Sequence, residues 1–183
     1  MARAVDRADR AEQVIAGVDA HFEGVKKKYP QFAGKRVTFA VYYGPSVGLR
    51  FFSGAGSDTE KLLGAMGFAP SPNAEKFVGR GTTVAAEQMS LLDADVLVIS
   101  DNSNGAIGAL TDTAAFKSLP VVAAGQSVVI TNNATHTPPD ISYAVNGEKK
   151  PGNLPWALAQ PGPQSTPWAA DQVAPVIAAA LAK

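Results

Sequence analysis

The chain has 183 residues, of which 46% are apolar and 17% charged, with sixteen Lys and Arg against sixteen Asp and Glu. That length supports one domain with a real core, and the charge balance excludes a global field for nucleic acid or anionic membrane. The absence of cysteine excludes disulfide scaffolds, thiolate metal sites and thiol nucleophiles together.

No apolar run approaches the roughly 20 residues of a spanning helix, and the opening MARAVDRADRAEQ lacks the apolar stretch of a secretory signal. Read literally this is a cytoplasmic chain; a piece of a longer precursor reads the same way.

Val5, Ala8, Ile15, Val18, Phe22 and Val25 recur at helical spacings with Arg7, Asp9, Arg10, Glu12 and Asp19 between them. The pattern predicts an amphipathic helix of roughly 25 residues, stopped near Tyr29 and Pro30. Lys26, Lys27 and Lys28 fall at its end, where cations favour the helix dipole. A strand is expected at Val37–Tyr42, rich in β-branched and aromatic residues, followed by a Gly- and Pro-rich loop over Gly44–Gly56. Ser57 with Glu60 three residues on is a capping box; it opens a helix Asp58–Met66 that ends at Gly67. Residues 69–82 read as irregular, and Thr83 as the cap of a short helix through Leu92.

A strand Val96–Ser100 runs into the polar loop DNSNG, followed by a short helix around Thr113–Lys117, an Ala124-Gly125 turn and a strand Ser127–Thr131. Asn132–Pro167 is dense in Pro, Gly and Asn and reads as a long loop, of a length often functional. An Ala-rich helix, Ala169–Leu181, closes the chain and contains Pro175. Alternating helices and strands imply an α/β fold with a mainly parallel sheet flanked by helices.

In such a sheet the loops leaving the carboxyl ends of strands hold ligands. Tyr42, Tyr43, Arg50 and Phe51 follow the first strand, Asn102 and Asn104 a later one, and His136, Tyr143 and Trp156 come from the long loop. Aromatics with amides and one Arg suit a bulky organic ligand carrying oxygen atoms. Catalysis finds no anchor. Ser46 and Ser53 lack the G-x-S-x-G turn, Asp93 and Asp95 flank the entrance of a strand, and His21 and His136 have no companion at metal-ligand spacing. Gly54–Ser57 precedes a helix, a geometry that can bind phosphate, but without the Lys-Ser/Thr pair of a P-loop. This leaves, as the alternative, a flavodoxin-like enzyme domain binding a phosphate-bearing cofactor there. A third reading is an interaction module that self-associates.

The succession AEQMSLLDADVLVIS, AFKSLPVVAAGQSVVI and LPWAL before a closing helix resembles the C-terminal lobe of substrate-binding proteins of iron-siderophore ABC importers, a group that includes haem and vitamin B12 binders. SGAGSDTEKLLGAMGF resembles the segment that starts a helix after the first strand of that lobe. The resemblance implies residues 1–30 as an interlobe connector helix, residues 31–183 as a single Rossmann-like lobe, and an N-terminal lobe outside this chain. It implies a non-enzymatic role: ferric iron held within a siderophore, or haem, with no cofactor or metal bound by the protein directly. It further implies a cleft lined by Tyr42–Phe51 and Asp101–Asn104, and docking on an ABC permease through Glu60 or Asp58. The location would be extracytoplasmic, in the cell envelope, with full-length relatives often lipoproteins. The Asn132–Pro167 stretch departs from the family's shorter connection.

Overall fold

The computed structural model describes residues 8–78, 81–133 and 141–183. The central strands are β1 (Val37–Tyr42), β4 (Val96–Asp101) and β5 (Ser127–Asn133), the same three that the sequence marks. They pair in parallel, Val37 opposite Val96 and Leu97 opposite Ser127. Every residue of β1 and β4 is buried, as unbroken apolar runs require when helices cover both faces.

Four further strands make the sheet mixed. β2 (Leu49–Phe51) and β3 (Thr82–Val84) add antiparallel beyond β1, and β6 (Ser142–Val145) and β7 (Glu148–Pro151) add antiparallel beyond β5. The order is β3-β2-β1-β4-β5-β6-β7. The parallel character therefore belongs to the centre, and the antiparallel flanks lie where the sequence reads as loop or, at Thr83, as a helix cap.

Alternation along the strands builds two cores. On one face Phe39, Val41, Val96, Val98 and Ile130 pack against α2 (Asp58–Ala65), α6 (Leu154–Ala159) and α7 (Ser165–Leu181), with Phe22 and Val25 of α1 (Ala8–Lys28). On the other, Ala40, Tyr42, Leu97 and Ile99 meet Leu49, Phe51, Phe77 and Leu92, joined by Leu110 of α3 (Gly108–Thr111), Phe116 of α4 (Ala114–Lys117) and Val121 of α5 (Pro120–Ala123). Burial of each Val, Leu, Ile or Phe among them contributes roughly 1.5–3 kcal/mol. The Phe51 and Phe77 rings stack with centroids 4.3 Å apart.

Three expectations are corrected. Thr83 caps no helix: it lies in β3 opposite Arg50, where its branched side chain suits a pleated strand. The turns that follow are 3-10, Ala86–Leu92, opened by the Ala85 N–H donating to Gln88 Oε1 at 3.1 Å. The stretch from Asn132 is not one loop, since β5 continues to Asn133 and β6 and β7 form a hairpin. Asn146 and Gly147 turn it with φ of 51° and 82°, the paired positive values of a type I′ turn. The closing helix begins at Ser165, so Pro175 lies well inside it and not near its first turns.

α1 packs on α7 through its second half, where His21 Nε2 lies 3.2 Å from Asp171 Oδ1. Val14 and Ile15, in its first half, are exposed; the helix start expected at Val5 lies outside the described residues. Tyr143 of β6 is buried and donates a hydrogen bond to Gln172 Oε1 of α7 at 2.9 Å. Burial pushes its phenol above the ordinary tyrosine value, and the carboxylate of Glu148 adds to the rise.

Candidate functional site at the carboxyl edge of the sheet

Because β1, β4 and β5 run in parallel, their carboxyl ends converge on one edge. The loop after β4 is held from within. The buried carboxylate of Asp101 accepts from the backbone N–H of Ser103 at 2.9 Å and from its hydroxyl, the turn chemistry an Asp imposes two residues on. Asn104 takes φ of 56° before Gly105 at 92°, a conformation Asn tolerates. The Asn102 backbone N–H donates to the Tyr42 carbonyl at 2.8 Å, and the Ser100 hydroxyl donates to Asn102 Oδ1 at 3.0 Å.

Strand parity then sorts the side chains. Tyr42 pairs with Asp101, and Asp101 with Thr131, so Tyr43, Asn102 and Asn132 stand one position further, on the opposite face. There they meet α6 and line a cavity of about 190 Å³ with Val41, Phe52, Pro155, Trp156, Ala159 and Gln160. Asn153 positions the tryptophan by accepting the Trp156 backbone N–H at 3.0 Å. Trp156 remains 58% exposed, unlike the other large aromatics. No charged side chain lines the cavity among the described residues. Arg50 faces Val41 across the β1–β2 pair, and its guanidinium lies 5.8 Å from the centre of the Tyr43 ring.

Of the residues singled out in the sequence, Tyr43, Asn102 and Trp156 line this cavity and Arg50 stands beside it. Tyr42 and Phe51 do not. Both are buried in the core under the other face, Phe51 with no exposure at all. Asn104 is exposed on the loop tip, and His136 lies outside the described residues. Asn132 and Gln160 were not among the sequence candidates. The strand alternation Val128, Ile130, Asn132, each buried, was the available signal for the first.

The helix that follows the Gly54–Ser57 loop is capped by its own side chains. Ser57 Oγ accepts the Glu60 N–H at 3.1 Å, and Glu60 Oε2 accepts the Gly56 N–H at 2.7 Å. A carboxylate thus occupies the position a phosphate would need. Asp58, exposed, pairs with Lys61 at 3.1 Å. At the opposite end of the sheet Asp95 accepts the Arg36 N–H and Asp93 the Val121 N–H, both at 2.9 Å, so these carboxylates hold the backbone. No group of three metal-ligating side chains occurs among the described residues.

An α/β lobe whose parallel strands end at an uncharged, aromatic and amide cavity is a ligand-binding architecture. The chain belongs to the periplasmic binding protein family, whose model matches residues 1–134, a family of binding proteins and not of enzymes. Its fold is that of a periplasmic solute binding protein from Mycobacterium smegmatis, with a TM-score of 0.70 at 23% identity over 98% of this chain and 54% of that one. PiaA of Streptococcus pneumoniae in complex with ferrichrome gives 0.69 at 16% identity over 99% and 56%. The periplasmic heme-binding protein RhuT from Roseiflexus gives 0.64 at 16% over 98% and 60%. The chain therefore spans little more than half the length of these structures. A search of the curated proteins gave no match. The family is extracytoplasmic, and no described helix is long and apolar enough to cross a membrane.

Proposed function

We propose that this lobe forms one side of a cleft that captures a ferric siderophore, or haem, and delivers it to an ABC permease. The observation that carries the reading is the cavity itself, where Tyr43, Asn102, Asn132, Trp156 and Gln160 meet at the carboxyl edge of the sheet. Aromatic walls with a few amides suit a bulky ligand whose metal is already chelated, so the protein need supply no metal ligand. Structural kinship with proteins crystallised with ferrichrome and described as heme-binding supports the same cargo. α1, within residues 1–30, acts as the connector to a second lobe, which accounts for the exposed Val14 and Ile15. Residues 31–183 are the ligand-binding lobe. The full-length protein is held in the cell envelope, free or by a lipid anchor.

Titration of the two-lobed protein that carries this lobe with a panel of ferric siderophores and haemin, followed by tryptophan fluorescence, tests the proposal. One class of chelate is expected to quench saturably. Trp156→Phe is expected to remove most of that signal while Trp168, packed on Tyr143, stays as an internal control. A panel without any saturable response overturns the reading. Docking on the permease is assigned to Asp58 and Glu60 on α2. Asp58→Asn combined with Glu60→Gln is expected to leave the titration unchanged and to lower iron uptake in cells carrying the permease.

A further inference from the structure

We propose that this cavity selects a ligand face that is electrically neutral and offers an N–H or O–H donor, and disfavours an anionic one; the step rests on the ligand-binding function above. The lining holds the amides of Asn102, Asn132 and Gln160, the Tyr43 ring and the Trp156 indole, with no cation among the described residues. An anion entering it would lose hydration without gaining a counter-charge.

Asn132 sharpens the requirement. It is 7% exposed, lies in the cavity wall, and its Oδ1 has no hydrogen-bond partner among the described residues. An amide oxygen only accepts, and a carboxylate only accepts, so the two repel where a hydroxyl or amide N–H of a ligand would pair. Arg50 does not reverse this preference. It is solvent-exposed beside the Tyr43 ring, where its field is screened by water and salt and acts on approach more than on the bound state.

The test compares ferrichrome, a neutral iron(III) hydroxamate, with ferric dicitrate, a polyanion, by tryptophan fluorescence titration of the two-lobed protein that carries this lobe. Ferrichrome is expected to bind at least about tenfold more tightly, the ratio a single charge-assisted mismatch produces. Asn132→Leu, checked for folding by circular dichroism, is expected to reduce that preference by about tenfold. Gln160→Arg places a cation in the lining and is expected to shift the ratio of affinities about tenfold towards ferric dicitrate. Equal or tighter binding of ferric dicitrate by the unaltered two-lobed protein overturns the inference and leaves the transport reading standing, as does a ratio indifferent to Gln160→Arg. Binding of neither these chelates nor haemin overturns the transport reading, and this inference with it.

Discussion

Gly152 joins β7 to the turn before α6 with φ of 103°, and a β-carbon there would lie 2.7 Å from Cζ2 of Trp168. That ring is held edge-on against Tyr143, with centroids 6.2 Å apart. Gly152→Ala is expected to destabilise the fold by about 1–3 kcal/mol, read as a lower urea midpoint; an unchanged midpoint would mean that the ring moves freely. Residues of the candidate site show how far single positions are legible in a sequence. Tyr43 and Asn102 are legible as polar or aromatic groups that follow a strand, and Trp156 as an aromatic of the long Pro- and Gly-rich stretch. Following a strand does not separate Tyr42 from Tyr43, because both lie at the end of β1. Parity does, since Val37, Phe39 and Val41 point to one core and Ala40 and Tyr42 to the other. Phe51 reads as a rim residue only while Leu49–Phe51 reads as loop and not as the strand β2. Its partner Ala40 in the β1–β2 register puts it on the far face.

Among the elements, the β6–β7 hairpin depends most on its turn. Asn146 sits at φ 51°, which a β-branched residue adopts only at a cost of about 1–2 kcal/mol. Asn146→Val is expected to lower stability by that amount and Asn146→Gly by far less, a difference that thermal unfolding of the pair resolves. An Asn-Gly pair between two short runs is itself a strong hairpin signal. It was obscured here because β7, Glu148–Pro151, is charged along its length and shows no apolar alternation. The central strands were legible for the opposite reason, being apolar runs covered on both faces. The capping of α2 was equally legible: Ser57 and Glu60 do what their spacing predicts, with Glu60 reaching the N–H of Gly56.

For the molecule as a whole, Tyr143 fastens the added hairpin to the closing helix through Gln172. Its phenol is raised above the ordinary value by burial, so the folded state holds that proton more tightly than the unfolded chain does. The associated stability is complete below the unfolded value near 10 and is lost as pH rises through the higher folded one. Denaturant midpoints measured on both sides of about pH 10 are expected to fall with alkali, and less steeply in Tyr143→Phe; identical slopes would refute a tyrosine origin. The helix-strand succession disclosed the α/β class, whereas the antiparallel flanks rest on short pairings with little periodicity to reveal them. β7 is the outermost strand on its side, and it presents Glu148, Lys149 and Lys150 before a proline that has no N–H to offer. Charge and a missing donor make that margin a poor template for a neighbouring molecule's backbone, so crowding many copies together should not zip them into fibrils from this side.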